Sequence, residues 1–193
     1  MINEDNSLIK KAQEGDMKAF EQLLYKYDKQ VLNIAFSFRN DEEDAKDIYQ
    51  EVFLRVYKNL KKFQFKSEFG TWLYRITTNV CISHQSKRKK HQLDSIDKEI
   101  GFDGENPLTL KDYISDNSES ESKIMASDLS NHINSAIEKL PAKQKMAFTL
   151  KFYQEYKIRE IAKMMNCTEG TIKRYLFTAA NKMRENLKGL RKI

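Results

Sequence analysis

The chain has 193 residues, enough for one domain or two small ones, and 40% of them are hydrophobic, so packed cores are feasible. Its 6 glycines and 2 prolines are too few for the many turns of a β-sandwich or barrel, and its two distant cysteines and three scattered histidines form no zinc motif. No apolar run approaches the roughly 20 residues of a membrane span. We therefore expect an all-α, soluble, cytoplasmic protein with no membrane insertion, metal or cofactor.

Charge alternates along the chain in four blocks. The net charge is −5 over residues 1–51, +9 over 52–90, −7 over 91–128 and +9 over 129–193. Two basic blocks with interleaved aromatic residues favour contact with nucleic-acid phosphates, although any single lysine-rich helix is more often merely solvated. The acidic stretch 92–127 contains SDNSESES and few large apolar residues, which predicts a flexible linker between two small helical domains.

Apolar residues at spacings of three and four predict four helices in the first half of the chain. The first helix is short and ends at Gly15. Asp16, Asp41 and Ser67 are the candidate N-caps of the second, third and fourth helices, because their side-chain oxygens can accept from unpaired backbone N–H groups. The fourth helix continues to the basic run KRKK at 87–90.

The third helix has two distinct faces. The residues expected to face the core are Ala45, Ile48, Tyr49, Val52, Phe53, Val56 and Leu60. The opposite face carries Asp47, Gln50, Glu51, Leu54, Arg55 and Lys58. An apolar Leu54 inside a polar ring is typical of a protein-binding patch, although isolated exposed leucines also occur on solvated faces.

The acidic residues at the start of the third helix offer an alternative function. A cluster between 41 and 47 could hold a divalent cation and make the protein a metal-dependent nuclease. Only Asp44 and Asp47 share a face well, and no other helix supplies a ligand set. We therefore expect neither a metal site nor a catalytic residue.

The first basic block combines aromatic and cationic side chains. Phe63 and Phe65 lie in the loop before the fourth helix, where exposed rings could stack on bases of single-stranded DNA. Trp72 is expected in the core. Asn79 could hydrogen-bond a base, although it could equally be a solvated helix residue. The basic residues considered with these are Lys66, Lys87 and Arg88.

The segment from Ile158 to Leu187 predicts a helix-turn-helix, with its turn at Asn166–Cys167 and Thr168 as N-cap of the second helix. The core-facing residues of that helix are expected to be Ile172, Leu176, Ala179, Ala180, Met183 and Leu187. Outward residues able to reach base edges or phosphates in a major groove are Thr171, Lys173, Arg174, Phe177 and Thr178. A plain helical hairpin gives no reason for an exposed phenylalanine on so basic a face.

Several of these segments together resemble bacterial sigma factors of the extracytoplasmic-function (ECF) group, within the sigma-70 family. DEEDAKDIYQEVFLRVYKNL resembles region 2.2 of that family, and FGTWLYRITTNVCISHQSKRKK resembles regions 2.3 to 2.4. IEKLPAKQKMAFTLKFYQEYK resembles region 4.1, and IREIAKMMNCTEGTIKRYLFTAANKMRENL resembles region 4.2. The resemblance divides the chain into region 2 at 1–91, the linker at 92–127 and region 4 at 128–193.

The resemblance also implies partners and roles. Asp47, Gln50, Glu51 and Leu54 would dock on the clamp coiled coil of the β′ subunit of core RNA polymerase. Phe63, Phe65, Lys66, Asn79, Lys87 and Arg88 would contact the −10 promoter element, with the loop at 63–68 capturing a flipped base. The outward residues of the recognition helix would read the −35 element. An anti-sigma factor is a further candidate partner.

The sequence departs from the family pattern at three positions. Ser83 stands where the family usually has an acid, and Tyr175 and Thr178 stand where it often has arginine. These differences leave the promoter sequence open. A stand-alone helix-turn-helix repressor remains the alternative that would bind its operator without polymerase.

Overall fold

The computed structural model describes residues 2–96 and 130–188 of the chain. These ranges contain eight α-helices and no β-strand, which confirms the all-α prediction. The helices are α1 (Ile2–Gln13), α2 (Met17–Arg39), α3 (Glu42–Leu60), α4 (Phe69–Ile96), α5 (130–138), α6 (Ala142–Phe152), α7 (Ile158–Met164) and α8 (Glu169–Asn186). The predicted linker lies outside the described residues, except for 92–96 at the end of α4. No helix in the described ranges is long and apolar enough to cross a membrane.

The helix starts follow the capping chemistry of the sequence. Asp16 Oδ1 accepts a hydrogen bond from Ala19 N at 3.1 Å, and Asp41 Oδ1 accepts one from Asp44 N at 2.8 Å, so both predicted N-caps are confirmed. The Ser67 prediction is wrong by one residue. Helix α4 begins at Phe69, and the Trp72 N–H donates to the carbonyl of Glu68.

Helices α1 to α4 share a hydrophobic core built around α3. The predicted inner face of α3 is confirmed, because Ala45, Ile48, Val52 and Val56 are all buried. Burial of this stripe orients the whole helix, since the residues between its members must then point away from the core. The polar face of α3 is therefore positioned by the apolar one.

Helices α5 to α8 form the second helical unit. Its buried residues include Leu140, Met146, Leu150, Ile161, Ile172 and Ala179. The predicted turn between α7 and α8 is confirmed, with Asn166 at φ +51° and Cys167 N donating to Ala162 O at 2.9 Å. A left-handed residue after a helix end is the usual geometry of such a turn. Thr168 Oγ1 accepts from Thr171 N at 3.1 Å, which confirms the predicted cap of α8.

The two units pack on each other through α4, which contacts both α6 and α7. Arg75 Nε donates to Lys163 O at 2.8 Å, and Thr78 Oγ1 donates to Met164 O at 2.9 Å. The last carbonyls of a helix have no partner within that helix. Side chains of α4 therefore cap the C-terminus of α7.

A series of charged side chains crosses the same boundary. The Arg39 guanidinium is buried, donates from Nε to Asp44 Oδ2 at 2.8 Å and lies 3.9 Å from Glu138 of α5. Lys145, also buried, pairs with Glu138 and places Nζ 4.8 Å from the centroid of the Phe38 ring. Buried charges need such partners, because desolvation otherwise disfavours them. These charged groups accompany an apolar cluster that contains buried residues of both units, among them Leu73 and Met164.

Replacing Thr78 with valine should loosen the contact between the two units. The Met164 carbonyl would lose its donor, which costs about 1–3 kcal/mol for a buried group. Small-angle X-ray scattering should show a larger radius of gyration for Thr78→Val than for the unmodified protein. Thr77→Val is the matched control, because Thr77 is equally buried but its hydroxyl donates to Leu73 O within α4 at 3.0 Å. An equal expansion of both variants would contradict a specific role for the Thr78 hydrogen bond.

Removing the cap of α8 should destabilise the second unit. Thr168→Ala leaves the Thr171 N–H without its side-chain acceptor, and we expect the free energy of unfolding to fall by about 1 kcal/mol. Urea denaturation followed by circular dichroism measures this change. Thr168→Asn supplies an alternative acceptor and should recover most of the loss. Failure of the asparagine to recover stability would argue against capping as the cause.

Candidate nucleic-acid and protein interfaces

The outer face of α3 presents the predicted protein-binding patch. The Leu54 side chain is 48% exposed, although the opposite face of the same helix is buried. Asp47 and Gln50 are exposed, and Glu51 is half-buried. Arg55 Nε donates to Glu51 Oε1 at 2.7 Å, which fixes the direction of that carboxylate. The structure therefore brings all four predicted docking residues onto one surface.

This surface continues into an open groove of about 540 Å³ between α3 and α4. The residues that line it are Asp47, Gln50, Glu51, Leu54, Arg55, Val80, Ser83, His84 and Lys87. Lys87 was predicted to contact the −10 element, yet it lies beside the predicted docking residues. Sequence reasoning assigned no role to His84. The sequence does indicate that His84 lies beside Lys87, because positions 80, 83, 84 and 87 share one face of a helix.

The loop between α3 and α4 differs from the prediction at Phe63. This side chain is only 7% exposed, and its ring centroid lies 5.1 Å from those of both Phe65 and Trp72. Phe63 is thus a core residue that anchors the loop, so the prediction of an exposed stacking ring there is wrong. Trp72 packs against the same core, as expected. Helical periodicity does not extend into this loop, so the sequence pattern does not indicate that Phe63 is buried.

The rest of this loop is held in a defined shape. Gln13 Nε2 donates to the carbonyls of Leu60 and Phe63, both at 2.9 Å. Phe65 is half-buried and has a φ of +56°, a conformation that costs a non-glycine residue roughly 1–3 kcal/mol. Such strain persists only where surrounding contacts impose it. Lys66, the next residue, is exposed.

The other residues predicted to contact the −10 element lie apart from one another along α4. Asn79 is exposed, whereas the neighbouring Thr78 is buried against α7. Arg88 Nη1 lies 3.1 Å from Asp44 Oδ2, so this arginine is paired with the start of α3. The structure therefore does not gather Asn79, Lys87 and Arg88 into a single patch.

Helix α8 presents a basic and aromatic outer face. Lys173 and Arg174 are exposed, and Phe177 is 68% exposed. The hydroxyl of Thr178 donates to Arg174 O at 2.8 Å, so it is engaged within its own helix. Thr171 is half-buried beside the cap. Such a face offers charge to phosphates, hydrogen bonds to guanine and an apolar ring to a thymine methyl.

The inner face of α8 is narrower than predicted. Ile172 and Ala179 are buried, and Leu176, Met183 and Leu187 are partly buried. Ala180 is exposed, so its assignment to the core is wrong. The small side chain of alanine makes either environment tolerable, which is why its position on the edge of the apolar arc did not settle its burial.

The acidic, histidine and cysteine side chains were considered as metal ligands in the part of the chain that the structure describes. No group of three or more histidine, cysteine, aspartate or glutamate side chains there could hold a metal ion. Asp44, a candidate ligand from sequence, is paired with Arg39 and Arg88. Burial raises the pKa of the Cys81 thiol to about 12, so this cysteine stays protonated at neutral pH.

Both units match known protein families. Residues 23–91 match Sigma-70 region 2, and residues 131–183 match Sigma-70 region 4. The chain is 32% identical to the RNA polymerase sigma-H factor of Pseudomonas aeruginosa, covering 91% of this chain and 90% of that protein. It is 31% identical to the ECF RNA polymerase sigma factor SigW of Bacillus subtilis, covering 94% of this chain and 96% of that protein.

Two solved structures are also similar. The sigma factor RpoE of Bartonella quintana, crystallised with the anti-sigma factor NepR, matches with a TM-score of 0.59 and 25% identity over 89% of this chain and 98% of that one. CnrH, solved with the cytosolic domain of CnrY, matches in fold with a TM-score of 0.60 and 18% identity over 96% of this chain and 98% of that one. The chain therefore belongs to the sigma-70 family, in its extracytoplasmic-function group, whose members are promoter-recognition subunits of bacterial RNA polymerase.

Proposed function

We propose that this sigma factor docks on core RNA polymerase through the outer face of α3, with Asp47, Gln50, Glu51 and Leu54 as the contact residues. The observation that carries this proposal is the 48% exposure of Leu54 among polar residues, on the face of α3 opposite its buried stripe. An apolar anchor surrounded by polar groups is the common plan of a binding hot spot. The β′ clamp coiled coil is the occupant that the sigma resemblance implies.

Promoter reading is divided between the two units. The loop at 63–68 and Asn79 serve the −10 element, with Phe65 and Lys66 as the loop residues able to meet DNA. Helix α8 serves the −35 element as duplex DNA through Thr171, Lys173, Arg174, Phe177 and Thr178. The exposure of Lys173, Arg174 and Phe177 supports this role. Region 2 would span 1–91 and region 4 would span 128–193, joined by the segment 92–127.

Promoter binding requires the two units to separate. The −10 and −35 elements are about 25 base pairs apart, which is roughly 85 Å at 3.4 Å per base pair. A compact protein of this length has a radius of gyration of about 16 Å, so it is too small to reach both elements while its two units stay packed together. The polar contact between α4 and α7 would then exchange its hydrogen bonds for water or for polymerase. Separation also uncovers Arg75, one helical turn from Asn79.

In this proposal the protein acts by binding alone and catalyses no reaction. The protein would act in the cytoplasm with no cofactor and no catalytic residue of its own. Docking and duplex contacts would offset the cost of unstacking promoter bases, a few kcal/mol for each base. Two weak sites on one tether bind jointly once polymerase fixes their separation.

Because the RpoE structure of Bartonella quintana contains an anti-sigma factor, an anti-sigma protein is a candidate regulator of this chain as well.

Truncating Leu54 should weaken binding to core polymerase without unfolding the protein. Loss of a hot-spot contact costs about 2 kcal/mol, which corresponds to a roughly 30-fold higher Kd. Fluorescence anisotropy with labelled sigma factor and purified core polymerase measures this change. Leu32→Ala is the matched control, because Leu32 is similarly exposed, at 40%, but lies on α2. Unchanged affinity for Leu54→Ala would refute the docking surface.

Removing the basic pair of α8 should lower promoter-specific transcription but spare polymerase binding. Lys173→Ala combined with Arg174→Ala removes two groups able to contact phosphates or guanine, each worth about 1–3 kcal/mol. Run-off transcription with core polymerase on promoter fragments should fall at least tenfold. The control pair is Lys182→Ala with Arg184→Ala, which removes the same charge further along α8. Equal loss from both pairs would point to non-specific charge rather than to reading of the −35 element.

A further inference from the structure

The groove between α3 and α4 adds a second wall to the docking surface. Val80, Ser83, His84 and Lys87 occur at spacings of three and four along α4, so they share one face. All four line the groove opposite the polar face of α3. The buried Val80 and the half-exposed Leu54 give it an apolar floor. The groove is thus continuous with the surface proposed above for polymerase.

The two walls carry opposite charge. The α3 wall contributes the carboxylates of Asp47 and Glu51, with the guanidinium of Arg55 paired to Glu51. The α4 wall contributes the ammonium group of Lys87, which forms no ion pair within the described parts of the chain. A groove of this kind fits an amphipathic helix that presents cations toward α3 and an anion toward α4.

His84 is a partly buried residue of the α4 wall. Its Nδ1 atom is buried and has no hydrogen-bond partner among the described residues, while the side chain still lines the groove. The imidazole is therefore packed into the protein on one side. A side chain that is already ordered loses little conformational entropy when a partner docks.

The position of Lys87 on α4 separates it from the surface that faces the second unit. Lys87 lies nine residues, or two and a half helical turns, from Thr78, so the two side chains leave opposite faces of α4. Thr78 contacts α7, and Lys87 faces α3. The adjacent Arg88 is drawn to Asp44 and does not extend the groove.

We infer that polymerase docks in the α3–α4 groove as a helix with one basic and one acidic edge, and that Lys87 serves this contact rather than the −10 DNA. The inference rests on the proposed function, because it assigns a second wall to the same docking surface. It makes His84 and Lys87 determinants of polymerase affinity. A charge on the edge of an interface acts mainly on the association rate and on its salt dependence.

The test is charge reversal in the full-length protein with core polymerase. Lys87→Glu should raise the Kd for core polymerase about tenfold and reduce the dependence of log Kd on log salt concentration. Once polymerase is saturated with the variant, its affinity for a fork-junction −10 DNA should equal that of the unmodified holoenzyme. Lys66→Glu is the matched control in the loop, and it should leave core binding unchanged but weaken binding of the fork-junction DNA. Because Lys87 is exposed, the variant should keep its thermal unfolding midpoint.

A second substitution tests the wall independently of charge. His84→Ala should also weaken core binding, with no change in the affinity of saturated holoenzyme for DNA. Core binding of Lys87→Glu and His84→Ala equal to that of the unmodified protein, while Leu54→Ala is impaired, would overturn the second wall but keep the docking face of α3. Unimpaired binding of all three variants would overturn the proposed docking function itself.

Discussion

Helix α4 has to satisfy two packing partners at once, and the arrangement of every candidate surface depends on how it does so. One face lies against α3 and forms the groove, and the opposite face caps the C-terminus of α7. Its N-terminal end fixes the aromatic loop through Trp72 and Phe69. A rotation of α4 about its axis would therefore disturb the groove, the aromatic loop and the contact between the two units together.

The polar part of the contact between the units is extensive. It is built from side-chain bonds to backbone carbonyls and from the charged series that runs through Arg39, Glu138 and Lys145. Polar groups released by opening regain hydrogen bonds from water, which lowers the cost of separating this part of the contact. Interfaces between domains of one chain commonly have this polar character. One apolar cluster also continues across the boundary, with Leu73 of α4 and Met146 and Met164 of the second unit among its buried members, so opening has to expose apolar surface as well.

Much of the fold could be predicted from sequence because local chemistry determines it. Asp16, Asp41 and Thr168 cap helices as expected, since a cap depends only on residues within one turn. The inner stripe of α3 was also correct, because a regular 3.6-residue period identifies a buried face without knowledge of its partner. The resemblance to sigma factors then supplied the family, which the comparisons confirm.

The errors arise where tertiary packing decides. Phe63 belongs to no periodic segment, so nothing local indicated that Phe69 and Trp72 would enclose it. The sequence also does not tell where neighbouring basic residues point: Lys87 lines the groove beside α3 and Arg88 pairs with Asp44, while the role of Lys87 at the −10 element stays a prediction. The hydrogen bonds from Arg75 and Thr78 to α7 could not be foreseen at all, because they join residues more than eighty positions apart.

The hydrogen bonds from α4 to the backbone of α7 affect which substitutions the protein can tolerate during evolution. Arg75 and Thr78 hold the main-chain oxygens of Lys163 and Met164, not their side chains. Every amino acid supplies the same carbonyl group. Substitutions at the exposed Lys163 can therefore accumulate without removing the acceptor for Arg75, whereas Met164 is also constrained by the burial of its side chain.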